Sequence, residues 1–124
     1  MVATILVVDD DPVTRLRLTR SLQKYGFATL DAGHGAAALQ IMASRQVDLV
    51  LLDNLMPEIS GLQVLTTLRK HFPSNQLPVV VLSAAHEADL VTEALRLGAN
   101  DYLVKPVDSE TLFDRITAQL GRAA

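Results

Sequence analysis

Five short runs of apolar residues, rich in β-branched side chains, alternate with segments of helical length along this chain of 124 residues. Such runs, without regular polar alternation, are typical of strands that are buried on both faces, as in parallel sheets. Parallel strands need crossover connections, which are usually helices. The pattern therefore predicts an α/β fold, a doubly wound sheet of five parallel strands with five helices. The predicted strands span residues 4–8, 27–31, 49–52, 79–82 and 102–104.

Chemical signals mark the ends of the predicted helices. Asp11 followed by Pro12 is typical of an N-cap and a first helical position, and Gly26 is expected to close that helix. The fourth helix should end at Gly98 in the same way. No linker or repeat interrupts the pattern, so residues 1–124 are expected to form a single domain. The apolar residues expected to face the core at helical spacing are Leu18, Leu22 and Tyr25, then Leu90, Ala94 and Leu97, and finally Leu112, Ile116 and Leu120.

Composition excludes several function classes. The chain has no cysteine, which excludes a disulfide framework and thiolate metal sites. Its net charge is −3 and its eleven Lys and Arg residues are scattered, so we expect no direct binding of nucleic acid. No apolar run approaches the roughly 18 residues of a membrane span, and the N-terminus lacks a signal-peptide pattern. We therefore expect a cytoplasmic protein with no membrane contact.

Polar residues follow four of the five predicted strands at their carboxyl ends. The first strand runs into Asp9, Asp10 and the expected helix cap Asp11, the third into Asp53, the fourth into Ser83 and the fifth into Lys105. In doubly wound sheets these ends share one edge, which is where ligands bind. We therefore expect three carboxylates, a hydroxyl and an ammonium group to converge there.

This combination of side chains suits phosphoryl transfer. Clustered carboxylates repel one another unless a cation joins them, and an all-oxygen cluster without His or Cys suits a hard ion such as Mg²⁺. A carboxylate such as Asp53 can attack phosphorus and form an acyl phosphate. The metal ion, Lys105 and the Ser83 hydroxyl would then neutralise or hydrogen-bond the oxygens of the transferred group.

Four sequence stretches carry a resemblance to a known family. They are ILVVDDDP (residues 5–12), DLVLLDNLMP (48–57), VVVLSA (79–84) and GANDYLVKP (98–106), in this order on a βα repeat. Over essentially its whole length the chain resembles the receiver domain of two-component response regulators, of the chemotaxis-regulator type. The resemblance implies a flavodoxin-like fold with strand order 2-1-3-4-5. It also implies a signalling domain that promotes only its own phosphorylation and dephosphorylation, and is not otherwise an enzyme.

The resemblance implies a role for each acidic residue of the predicted site. Asp53 corresponds to the phosphoacceptor and Asp10 to a direct Mg²⁺ ligand. Asp9 matches a second acidic residue, which acts on the metal through water. Leu55 would offer its backbone carbonyl to the metal, a role that any side chain tolerates.

The resemblance further implies a switch and its partners. Ser83 corresponds to the switch hydroxyl, Tyr102 to an aromatic side chain that changes rotamer, and Lys105 to the lysine that pairs with the phosphoryl group. The peptide between Lys105 and Pro106 is expected to be cis. The phosphodonor would be a sensor histidine kinase or a histidine phosphotransfer protein. Phosphorylation would change the surface of the fourth helix, fifth strand and last helix, which then binds an output domain, a target protein or an identical second copy.

Apolar residues outside the predicted core stripes indicate where partners bind. Val91 and Leu95 form a second apolar pair on the fourth helix and, with Tyr102, are expected to contribute to the output surface. Exposed aliphatic side chains beside arginines suit docking against a helical phosphodonor. The first helix is expected to offer such a surface through Val13, Leu16, Arg17 and Arg20.

Two alternatives remain open. Residues 9–13 (DDDPV) formally fit the nucleophile pattern of haloacid-dehalogenase-like phosphatases, which would not explain Asp53 together with Lys105. A receiver-like interaction module that works without phosphorylation would keep the same motifs. Asn54 stands where the family commonly has an apolar residue, so it is predicted to contact a partner or to influence access to Asp53. Three histidines lack metal-ligand spacing and are expected at the surface: His34, His71 and His86.

Overall fold

The computed structural model describes residues 2–123, with side chains as far as residue 121. Strands and helices alternate strictly along the described chain, and none of these helices is both long and apolar enough to cross a membrane. The strands are β1 (Thr4–Val8), β2 (Ala28–Ala32), β3 (Leu49–Leu52), β4 (Val79–Ser83) and β5 (Asp101–Val104). The helices are α1 (Pro12–Lys24), α2 (Gly35–Ser44), α3 (Gly61–Arg69), α4 (Ala88–Arg96) and α5 (Ser109–Ala123).

The five strands pair in parallel in the order β2-β1-β3-β4-β5, which confirms the predicted doubly wound fold. Strand bounds differ from the prediction by one residue in β2, β4 and β5. For β2 the cause is local, because the backbone N–H of Phe27 donates to the carbonyl of Leu22 at 3.1 Å and so closes α1. At the other edge, Ser83 and Asp101 have partners in register and therefore belong to β4 and β5.

Successive strand residues point into two separate layers of the core. Leu6 and Val8 of β1 pack on the side that carries α2, α3 and α4. Ile5 and Val7 pack on the opposite side, with residues of α1 and α5. All four side chains are essentially inaccessible to water. Because helices cover both faces of the sheet, the strand ends are the part left open for chemistry.

The first helix begins and ends as predicted, but one residue of its predicted core stripe is exposed. Asp11 caps α1 by accepting a hydrogen bond from the backbone N–H of Thr14 at 3.2 Å, and Gly26 leaves the helix with φ 92°. Leu22 is buried, whereas Tyr25 is 41% exposed, so its assignment to the core is wrong. Tyr25 follows the last helical residue, where the chain already turns away. Its ring stacks on Phe113 of α5 with centroids 4.3 Å apart.

Helix α4 also packs differently from the predicted stripe. Ala94 is its only fully buried residue, while Leu90 and Leu97 are half-buried. An alanine at the point of closest contact brings the helix backbone near the sheet, which leaves larger side chains on the flanks. Val91 is half-buried too, and Leu95 is 47% exposed. The expectation that α4 carries apolar surface beyond its core contact therefore holds for Leu95 and only partly for Val91.

Candidate functional site

The carboxyl edge of the sheet gathers the five polar residues that the sequence singled out. Asp9 and Asp53 follow β1 and β3 directly, and both are almost fully buried. Ser83 ends β4 and is completely buried, while Asp10 is exposed and Lys105 lies half-buried just after β5. Carboxylate oxygens of Asp9, Asp10 and Asp53 lie within 4.8 Å of one another. Among the described residues, this is the only group of three His, Cys, Asp or Glu side chains close enough to share a metal ion.

Lys105 balances part of the negative charge of this cluster. Its ammonium group lies 2.6 Å from Oδ2 of Asp9 and 3.4 Å from Oδ2 of Asp53. Burial by itself lowers the pKa of Lys105, but the hydrogen bond to Asp9 and the charges of Asp53 and Asp9 outweigh it, so the net pKa is raised. Lys105 therefore stays protonated at neutral pH. The Lys105–Pro106 peptide is cis, as predicted.

The backbone and one carboxylate oxygen of Asp53 are held by hydrogen bonds. Its own N–H donates to the carbonyl of Val8 at 2.9 Å, which continues the β1–β3 pairing. Its Oδ1 accepts a hydrogen bond from the backbone N–H of Leu55 at 3.1 Å. Burial raises the pKa of Asp53, although the Leu55 N–H and the charge of Lys105 act in the opposite direction. Ionised Asp53 therefore carries an unfavourable desolvation free energy, which an additional cation at the cluster would offset.

Ser83 and Tyr102 meet at the turn that follows β4. The Ser83 hydroxyl oxygen accepts a hydrogen bond from the backbone N–H of Ala85 at 3.3 Å. The Tyr102 hydroxyl donates to the backbone carbonyl of the same Ala85 at 2.6 Å. Burial raises the pKa of Tyr102 and keeps its hydroxyl protonated, so it acts as a donor here. One residue, Ala85, therefore connects the hydroxyl beside Asp53 to the aromatic ring on β5.

Asn54 organises the loop that leads from β3 to α3. The residue is buried, and its side-chain oxygen accepts a hydrogen bond from the backbone N–H of Leu62 at 3.2 Å. Its backbone carbonyl accepts from the N–H groups of Met56 and Gly61. The buried side chain of Asn54 is therefore not available to a partner, while its influence on access to Asp53 stays a prediction. Its real role has a sequence signal, since asparagine side chains commonly bond to backbone in turns. Leu55 next to it is 53% exposed.

A buried glycine allows the start of α3 to approach the backbone of Asp53 closely. A Cβ atom on Gly61, the first residue of α3, would lie 2.3 Å from the carbonyl oxygen of Asp53 and 2.6 Å from Cα of Asn54. No side chain fits at that distance. The helix N-terminus therefore touches the backbone of the central aspartate, a contact that the sequence analysis did not identify.

The surface of α1 near the site has the predicted exposure. Val13 and Leu16 are 57% and 50% exposed, and Arg17 and Arg20 are exposed as well. A groove of about 310 Å³ runs from this helix to the half-buried Lys105. It is lined by Thr14, Arg17, Leu18, Leu82, Lys105, Pro106 and Val107.

Asp11 and His34 both cap helices, and the role of Asp11 weakens the phosphatase interpretation. Asp11, which the phosphatase pattern would use as its second aspartate, spends its carboxylate on capping α1. His34 caps α2, because its Nδ1 accepts a hydrogen bond from the backbone N–H of Ala37 at 3.2 Å. All three histidines are exposed, as expected.

Comparison with known proteins assigns the chain to a family. The sequence model of the response regulator receiver domain matches residues 5–117, which is most of the chain. The chain belongs to the response regulator receiver family. Among curated relatives, it is 36% identical to the protein PilH of Pseudomonas aeruginosa over 96% of this chain and 98% of PilH. The whole of this chain is 40% identical to part of the response regulator MprA of Mycobacterium sp. (strain KMS), of which it spans 53%.

A solved structure supports the fold of this receiver independently. A CheY-like response regulator receiver domain protein from Methanospirillum hungatei JF-1 superimposes with a TM-score of 0.93. The superposition covers 99% of this chain and 97% of that one, at 22% sequence identity. That structure supports the fold alone, while the family match over residues 5–117 identifies the chain as a receiver domain of a response regulator, a type of signalling domain.

Proposed function

We propose that this receiver accepts a phosphoryl group on Asp53 in a Mg²⁺-dependent reaction and switches a partner-binding surface in response. The observation that carries the proposal is the position of Asp53, a buried carboxylate between two other carboxylates and the ammonium group of Lys105. Three carboxylates beside a single ammonium group leave two negative charges unpaired, so the cluster is suited to gain a cation and then a phosphoryl group.

The donor set fits Mg²⁺. The three carboxylates supply only oxygen, no His or Cys of the described residues joins them, and Asp10 is open to solvent. We assign Asp10, Asp53 and the Leu55 carbonyl as direct ligands, and Asp9 as a ligand through water, because Lys105 already engages Asp9 at 2.6 Å. When bound, the cation would neutralise charge on the transferred phosphoryl group.

The phosphoryl group is proposed to come from a phosphohistidine of a sensor kinase or a phosphotransfer protein. A carboxylate oxygen of Asp53 forms the new bond to phosphorus, while the phosphorus–nitrogen bond breaks and its electron pair stays on the histidine ring. Lys105 would exchange its contact with Asp9 for one with a phosphoryl oxygen. The Ser83 hydroxyl, now bonded to Ala85, would donate to another oxygen.

The switch is proposed to run through Ala85. If Ser83 turns towards the phosphoryl group, the turn after β4 loses one of its two side-chain bonds, and the hydrogen bond from Tyr102 to Ala85 becomes the remaining one. The phosphoryl contacts then favour one arrangement of this turn and of β5 over another. The affected surface is that of α4, β5 and α5, where Val91, Leu95 and Tyr102 would contact an output domain, a target protein or a second copy of the chain.

The phosphodonor is proposed to dock on α1. Val13 and Leu16 offer exposed apolar contacts, and Arg17 and Arg20 offer positive charge, beside the groove that reaches Lys105. Charge reversal at Arg17 and Arg20 should slow transfer from the protein donor but leave phosphorylation by acetyl phosphate unchanged. Equal slowing with both donors would assign the arginines to the site itself.

A Mg²⁺ titration tests the metal part of the proposal. Asp10→Ala should weaken Mg²⁺ binding at least tenfold, because one of the direct ligands is lost. Asp89→Ala, which removes another exposed aspartate on α4 outside the cluster, is the control and should leave the affinity unchanged. Equal affinities for wild type and Asp10→Ala, measured by calorimetry, would remove the metal from the proposal.

A receiver that works without phosphorylation would bind its partner equally well before and after treatment with acetyl phosphate.

A further inference from the structure

The Asp10 carboxylate has no side-chain anchor of its own. None of the hydrogen bonds or ion pairs formed by the side chains of residues 2–121 involves it, and the residue is exposed. Its position must therefore come from the backbone on either side. The peptide after Asp10 is held because the N–H of Asp11 donates to Oδ1 of Asp9 at 3.0 Å.

The peptide before Asp10 is held by an arginine that the proposed chemistry does not use. Nη1 of Arg15 donates to the carbonyl oxygen of Asp9 at 2.8 Å, and this carbonyl belongs to the peptide that joins Asp9 to Asp10. The same guanidinium donates through Nε to Oδ2 of Asp31 at 2.9 Å. Arg15 lies on α1 and Asp31 on β2, so one planar group ties a helix and a strand to the loop that carries the metal ligands.

The surroundings of Arg15 hold the guanidinium in this orientation. Its side chain is only 22% exposed, and a Cβ atom on Gly33 would lie 3.1 Å from its Nη1. A guanidinium presents its donors in a fixed fork, whereas the ammonium group of lysine is a point charge on a flexible stem. Lysine at position 15 would keep the charge but could not reach both acceptors with the same geometry.

We infer that Arg15 is a positioning residue for the metal-binding loop, which sets the place of Asp10 by holding the Asp9 carbonyl while Asp31 orients the guanidinium. The inference rests on the proposed binding of Mg²⁺ to Asp10. Partners that orient metal ligands are commonly worth a factor of about 10 to 100 in affinity. Arg15 acts on the ligand through the backbone and has no contact of its own with the metal or the phosphoryl group.

Substitution of Arg15 by methionine separates positioning from electrostatics by the sign of the effect. Removal of a positive charge beside a cation site strengthens cation binding if charge alone matters. If Arg15 positions Asp10, Arg15→Met instead weakens Mg²⁺ binding by about 10-fold or more. Arg15→Lys should also weaken Mg²⁺ binding. Asp31→Asn should weaken Mg²⁺ binding less, because Arg15 keeps its hydrogen bond to the Asp9 carbonyl.

The matched control lies at the opposite edge strand of the sheet. Arg115 of α5 forms two hydrogen bonds with Asp101 of β5, at 2.6 and 2.7 Å, so it also links a helix to a strand through an Arg–Asp pair. Arg115→Met should leave Mg²⁺ affinity within twofold of wild type, while urea unfolding reports how much stability each pair contributes. Hydrogen exchange in metal-free protein gives a second readout, since the Asp11 amide should exchange faster in Arg15→Met and not in Arg115→Met.

Each outcome bears on the inference. Weaker Mg²⁺ binding in both Arg15→Met and Arg15→Lys, with faster exchange at Asp11, supports it. Wild-type or tighter binding in Arg15→Met overturns it and leaves the proposed function standing. Wild-type affinity in Arg15→Lys, with weaker binding in Arg15→Met, would show that a guanidinium oriented by Asp31 is not needed, and would overturn the inference as well. If the wild-type protein binds no Mg²⁺, the proposed function itself fails, and the inference with it.

Discussion

Replacement of Gly61 by alanine tests the contact between α3 and the phosphoacceptor strand. The new Cβ would lie 2.3 Å from the Asp53 carbonyl oxygen, and that gap must widen to at least 3.0 Å. The obstacle is backbone rather than a flexible side chain, so either the start of α3 or the Asp53–Asn54 peptide has to move. Overpacking of this kind typically costs about 1–3 kcal/mol, and we expect the upper half of that range because the site is fully buried.

Urea unfolding followed by far-UV circular dichroism measures this cost, and acetyl phosphate measures its effect on the site. We expect Gly61→Ala to lower the free energy of unfolding by about 2–3 kcal/mol and to slow phosphorylation, since Asp53 moves with its peptide. Gly121→Ala is the control, because nothing lies within 4 Å of a Cβ there. It should stabilise α5 slightly, by up to about 1 kcal/mol. Wild-type stability and phosphorylation rate in Gly61→Ala would refute the close approach.

Three further substitutions test other parts of the structure. Asp53→Asn should stabilise the metal-free protein at neutral pH, because burial raises the pKa of Asp53 in the folded state. The stability that Asp53 contributes is fully present below its unfolded pKa and is lost as the pH rises through its folded pKa. The difference in unfolding free energy between the two proteins should therefore close in acid. Glu58→Gly should raise the unfolding free energy by about 0.5–1 kcal/mol, because Glu58 has φ 67°, a left-handed conformation that glycine adopts without strain. A higher urea midpoint would report this gain. Arg69→Met should lower the unfolding free energy by about 3 kcal/mol or more, because the half-buried guanidinium donates to the carbonyls of Phe72, Leu77 and Gly98. Phosphorylation should be unchanged, since these bonds lie at the opposite edge of the sheet.

The fold and the members of the site were predictable because each leaves a local mark in the sequence. Buried parallel strands are continuous apolar runs, and Asp11 with Pro12 announces a helix start. Once the strands are known to be parallel, their carboxyl ends must share an edge. The convergence of Asp9, Asp53 and Lys105 then follows without any knowledge of distances.

Other contacts were not predictable because they depend on register between distant segments. Arg15 and Asp31 meet only because Val7 of β1 pairs with Asp31 of β2, which places the carboxylate beside α1. Nothing local in the sequence indicates that Gly61 approaches the backbone of Asp53. Helical spacing also does not show at which residue a helix ends, which is why Tyr25, one residue past α1, was assigned to the core wrongly.

The most direct test of the central proposal is to locate the phosphoryl group by mass spectrometry. The protein is incubated with acetyl phosphate with and without Mg²⁺, and the modified residue is mapped by fragmentation. We expect one phosphoryl group, on Asp53, only when Mg²⁺ is present, and none on Asp53→Asn. An unmodified wild-type protein, or equal modification of Asp53→Asn, would contradict the assignment of Asp53 as the phosphoacceptor.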